Sequence, residues 1–150
     1  MTHILSALTV GIILLSAPVS ATADEDSGLD PVIAYALTAA PGGIALDARH
    51  AVWPDGMELR APEPFAKAVL TCPTMRICAF QGTATSGAML SWNSCGTYST
   101  SALSGVGSIA NARAAGSVLR ARNGTPILTT ATAGSGKNVY GTTTNVQCLE

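Results

Sequence analysis

The sequence predicts a mainly β protein, a small sandwich preceded by a short helix and a β-hairpin, and three observations carry that reading. From Thr71 onward Thr, Ser and Gly dominate, and short apolar runs alternate with Gly-, Ser- and Asn-containing turns without sustained helical spacing. Ahead of this region one segment carries helix start and stop signals, and another carries a Pro-Asp-Gly turn between two short runs. Four cysteines in a chain of 150 residues supply the staples that a small β domain needs.

In chain order, the apolar run Ile4 to Leu15, then Pro18 and the small-residue pattern Ala21-Thr22-Ala23, reads as a signal peptide over residues 1–23, cleaved after Ala23. The run is about twelve residues, short of the roughly 20 that cross a bilayer, so export and not a membrane anchor is expected. It also accounts for much of the positive mean hydropathy. Residues 24–150 suffice for one domain burying roughly two-thirds of its unfolded surface.

Asp24 to Gly28 is acidic and small, an expected flexible start. In LDPVIAYALTAAPGG, Asp30 stands at the N-cap and Pro31 at the first helical position. Ile33, Ala34 and Leu37 share a face, and Pro41-Gly42-Gly43 stops the helix. The Pro54-Asp55-Gly56 turn then joins the runs His50–Trp53 and Met57–Leu59 in a hairpin. The Pro-rich stretch 61–64 is stiff and extended, which places a boundary between residues 24–64, a helix-hairpin segment with its linker, and 65–150, a disulfide-stapled β domain. Within the latter the expected strands are RICAF, AMLSW, SIANA, SVLRA, PILTT and NVYG. TSGAMLSW and RNGTPILTT echo each other, each placing Gly ahead of an apolar strand.

The total charge of −1 hides an asymmetry. Residues 24–63 carry eight acids against Arg49 and Arg60, a net of −6, whereas residues 65–150 carry six bases against Glu150, a net of +5. Tethering makes an encounter between the two parts effectively intramolecular, so the helix and hairpin are expected to lie against the β domain, with Trp53 as the apolar contact. The basic residues do not cluster and aromatics are few, which argues against nucleic-acid binding.

An even cysteine count in an exported chain reads as disulfides, and four cysteines allow three pairings. The favoured pairing joins Cys72 to Cys78, a small ring around Pro73, and Cys95 to Cys148, which ties the C-terminal strand to the sheet. A zinc site would need ligand pairs at short spacing, which the cysteines and His50 do not offer. AGSGKN, residues 133–138, lacks the first glycine and the Ser or Thr of a phosphate loop and reads as a hairpin turn. His50 has no nucleophile beside it in sequence, and Glu58 and Glu63, the one carboxylate pair with glycosidase potential, read as solvated charge. Asn123-Gly124-Thr125 is formally a glycosylation sequon and reads as a turn. Neither a catalytic residue nor a cofactor is expected.

Cys72, Pro73, Cys78, Phe80, Gly87 and Met89 to Trp92, followed by GVGSIANAR and SVLRARNGTPILTTATAGSGKNV, resemble the secreted actinobacterial peptidase-inhibitor family typified by the streptomycete metalloproteinase inhibitor. The resemblance covers about 80 residues and implies a βγ-crystallin-like Greek-key fold. Thr85 stands where such motifs carry an aromatic, and Leu103 and Ser104 stand where calcium-binding members carry acidic or amide residues, so no calcium site is expected. No reactive-loop residue carries over. The functional expectation is an extracellular, monomeric, non-catalytic binding protein, an inhibitor of an extracellular protease. Its candidate binding loops are Thr74–Met75 and Gly134–Lys137 (Gly134, Ser135, Gly136, Lys137). The alternative is an envelope-associated structural or binding module without inhibitory activity.

Overall fold

The computed structural model describes residues 28–63 and 71–150, so the expected signal peptide, its cleavage at Ala23 and part of the linker lie outside the described residues. The first element, α1 (Pro31–Ala39), begins as the sequence requires: the Asp30 carboxylate accepts from the Val32 N–H at 2.9 Å, and Pro31 occupies the first turn. Its buried face is Ile33 and Ala36 with Val32 and Leu37 against the core, whereas Ala34, expected on that face, is exposed. A spacing of three from Ile33 selects Ala36 over Ala34.

Three strands follow: β1 (Ile44–Asp47), β2 (His50–Val52) and β3 (Glu58–Arg60). The β2–β3 pair is the expected hairpin, its turn closed by a hydrogen bond from the Gly56 N–H to the Trp53 carbonyl. The β1 strand carries no alternation of burial, since all four of its residues are exposed, and its sequence gives no strand signal.

Eight more strands complete the domain: β4 (Ile77–Phe80), β5 (Met89–Trp92), β6 (Thr97–Ser99), β7 (Ser108–Asn111), β8 (Val118–Arg122), β9 (Ile127–Thr132), β10 (Ser135–Asn138) and β11 (Asn145–Leu149). They form two sheets, one ordered β1-β2-β3-β5-β4-β7-β10 and the other β6-β11-β8-β9, with every ladder antiparallel. In β4 to β7 the fourth strand lies beside the first, and in β8 to β11 it does so again, so the chain folds as two consecutive Greek keys. The third strand of each key crosses to the opposite sheet: β6 pairs with β11, and β10 pairs with β7. The Greek-key sandwich expected from the sequence is therefore a single one built from two keys. The echo between TSGAMLSW and RNGTPILTT is its trace, because those segments form the second strands, β5 and β9.

The two keys also share a device at their first hairpins. Ser108, at the start of β7, donates to the Gly82 carbonyl at 2.7 Å, and Asn145, at the start of β11, donates to the Gly124 carbonyl at 3.2 Å. In both keys a polar residue opening the fourth strand pins the first hairpin of its own key.

Across the larger sheet the register row Ala51, Leu59, Leu90, Ala79 and Ile109 is fully buried. Leu119, Ala121, Ala131 and Val146 of the smaller sheet belong to the same cluster, and so do Ile33 and Ala36 of α1. The smaller sheet thus covers one end of this face, and α1 packs on β1, β2 and β3. Trp92 of β5 stacks on Tyr98 of β6 with ring centroids 5.2 Å apart, joining the layers at their edge. Inside, Asn111 donates to the Ser117 and Ala131 carbonyls, a buried amide satisfied by the β7–β8 connection and by β9.

The larger sheet runs straight across the expected linker boundary, since β3 pairs with β5 in the register Glu58↔Ser91, Leu59↔Leu90 and Arg60↔Met89. The joint is a hydrogen-bonded ladder with, among the described residues, one ion pair, Arg76 to Glu58 at 2.5 Å. The other described carboxylates of this segment work locally: Asp30, Asp47 and Asp55 accept from nearby backbone N–H groups, and Glu63 pairs with Arg49. Trp53 belongs to the apolar cluster that its segment shares with the β domain, and it also clamps its own segment. Its indole N–H donates to the Ala40 carbonyl at 2.7 Å, and its ring lies over Gly43, where an added Cβ would approach to 2.3 Å.

Candidate binding surface on the outer face of the larger sheet

Both disulfides pair as favoured, Cys72–Cys78 and Cys95–Cys148, with Cα–Cα separations of 5.7 and 4.7 Å. All four cysteines are thereby consumed, and among the described residues no cluster of potential metal ligands occurs. Cys78 lies on the outward face of β4 with Phe80 and, on β5, Met89, and the ring ties Cys72 onto this second, smaller cluster.

The ring displays the first candidate loop. Thr74 and Met75 are exposed, with Met75 at 51 %. Met75 holds a φ of 64°, a left-handed conformation unusual for a residue with a side chain, and its backbone is tied at both ends. Its N–H donates to the Ala112 carbonyl at 2.9 Å, and its carbonyl accepts from the Arg113 guanidinium at 3.2 Å. The Arg76 N–H closes the turn on the Pro73 carbonyl. The thioether is therefore presented on a fixed backbone.

The second candidate, Gly134 to Lys137, is only partly a loop. Gly134 sits in the turn at φ 71°, but Ser135, Gly136 and Lys137 are strand β10, paired to Asn111, Ala110 and Ile109. The Gly and Ser that suggest a turn here serve a close edge strand, because Gly136 lies 3.4 Å, measured from an added Cβ, from the Ile109 carbonyl. NVYG is likewise not a strand beyond Asn138.

The second candidate borders the disulfide ring at Cys72, but Thr74 and Met75 line neither of the depressions there. A depression of about 230 Å³ is lined by Cys72 of the ring, by Ala110 to Ala112, and by Gly134 to Gly136, and Thr85 and Gly136 separate it from a second of about 330 Å³ that includes Lys137. Thr85 is the residue that sequence reasoning missed as a feature of this surface. It and Ala84 have φ of 58° and 51°, held there by hydrogen bonds from their N–H groups to Ser108 Oγ and Asn138 Oδ1. Strain of this kind in a β-branched residue persists only where surroundings impose it.

The residues considered for catalysis also have defined places. His50, Glu58 and Ser91 share the outward face, with His50 Nε2 3.6 Å from Glu58 Oε2. Ser91 is 1 % exposed and its hydroxyl accepts from Arg76, so it is closed to substrate. Glu63 is held by Arg49 and Glu58 by Arg76, which separates their roles. Among the described residues no helix is long and apolar enough to cross a membrane. In comparison with known proteins, the chain matches no family model, no curated protein and no solved structure.

Proposed function

We propose that the protein is an extracellular, non-catalytic binding protein whose target is an extracellular protease, and that it belongs to the βγ-crystallin-like inhibitor family its sequence resembles. The observation that carries the reading is the fixed presentation of Met75: a side chain exposed on a turn held by a disulfide ring and by hydrogen bonds at both its N–H and its carbonyl. A group held this way loses little conformational entropy on binding, which is the physical advantage of a rigid inhibitor. Two disulfides fit an oxidising, extracellular setting. The doubled Greek key with exchanged third strands supports the family reading.

The left-handed backbone at Met75 bears on the mode of binding. A substrate-like inhibitor presents an extended segment that pairs with the edge of the protease cleft, and a residue at φ 64° with both polar groups occupied cannot do so. Met75 and Thr74 would instead contact the target through their side chains. The test is a panel of secreted metallo- and serine proteases assayed with and without the protein at stoichiometric concentration. Inhibition of at least one member is the expected result, and unimpaired activity across the panel would reject the reading.

A further inference from the structure

A depression larger than the two beside the ring lies elsewhere, where the connections from third to fourth strand of the two keys meet. Residues 100–107 join β6 to β7, and residues 139–144 join β10 to β11; together they wall a depression of about 700 Å³. The loops are bound to each other, since the Thr100 N–H donates to the Thr144 carbonyl at 3.2 Å and the Thr100 hydroxyl donates to the Thr143 carbonyl at 3.1 Å. The rim is further fixed by Gln81, which donates to Ser104 Oγ at 2.8 Å.

Its chemistry is distinctive. Not one lining residue is charged: the wall is hydroxyls, glycines and one amide, with the buried side chains of Leu103 and Val106 as the apolar part. Hard cations need carboxylate or several carbonyl oxygens, and anions need cationic or converging N–H donors, so neither is matched. A purely apolar ligand would strand the hydroxyls. The Thr143 hydroxyl is closed off beneath this lining with no hydrogen-bond partner among the described residues, so the polar groups open to a ligand are those of the exposed Ser101, Ser104 and Thr142. A pyranose ring has the complementary surface, with an apolar C–H face and a rim of hydroxyls that both donate and accept.

We propose that this depression is a binding site for a neutral, hydroxyl-rich glycan, with Leu103 and Val106 beneath the sugar ring and Ser101, Ser104 and Thr142 around it. The site is independent of the Met75 turn, so the protein could hold a polysaccharide and a protease together.

The test is affinity electrophoresis of the full mature protein through gels containing dextran, soluble starch or xylan. Gly105 offers a clean block: an added Cβ there meets nothing within 4 Å, and its φ is not left-handed, so Gly105→Ile fills the mouth without straining the loop. Retardation in at least one neutral gel is expected, with binding about tenfold weaker or worse in Gly105→Ile at unchanged melting temperature. Absence of retardation in all three gels, equal retardation of Gly105→Ile, or retardation only in a polyanionic alginate gel would each overturn the proposal.

Discussion

At the scale of the residue, two positions show how local geometry decides what a sequence tolerates. Gly43 sits under the indole of Trp53, and no side chain fits there without moving the ring that holds the end of α1. Gly43→Ala is expected to cost about 2 kcal/mol, as overpacking does, and to lower the melting temperature measured by calorimetry. Thr85 presents the opposite case. Its φ of 58° is strained for a β-branched side chain, so Thr85→Gly is expected to stabilise the protein by about 1 kcal/mol in denaturant titration. The Asp30 cap, the Pro31 start and the Gly56 turn were legible because each is a local rule. The strain at Ala84 and Thr85 was not, because their respective partners, Asn138 and Ser108, are distant in sequence.

At the scale of the element, legibility followed burial. Strands β4, β5, β7 and β8 carry apolar residues toward a core and announce themselves, whereas β1, β6 and β10 are edge strands that bury little, β1 even with Ile44 and Leu46 exposed, and leave no periodic trace. The consequence for stability lies at the joint between β3 and β5. Without residues 28–63, Leu90 loses Leu59 as its register partner and β5 becomes an open edge. Residues 71–150 expressed alone are expected to melt lower than the full chain and to show faster hydrogen exchange at Met89–Trp92. Equal melting and equal protection would mean that the joint contributes nothing. The staples differ in the same spirit: in the chain-entropy description, removing Cys95–Cys148 costs about 4 kcal/mol and removing Cys72–Cys78 about 2, because their sequence separations are 53 and 6. Paired Cys→Ser variants compared by urea unfolding measure this difference.

At the scale of the whole molecule, one ion pair among the described residues, Arg76 to Glu58, crosses between the oppositely charged parts, which meet through a ladder and apolar contact, so assembly is expected to depend only weakly on salt. For the proposed protease contact, Met75→Glu places a charge on the displayed side chain. It is expected to weaken inhibition of any protease found in the panel at least about tenfold, while Lys137→Ala, at the far depression, changes it little. The exchange of third strands has a consequence of another kind. The connection between the keys at Ala114–Gly116 is exposed, an inviting place for a protease to cut. Yet β6 and β10 each lie in the other key's sheet, and Cys95 and Cys148 join the two keys covalently. A molecule severed there would be two chains and still one body: a band that splits on a reducing gel and keeps its native mobility without reductant.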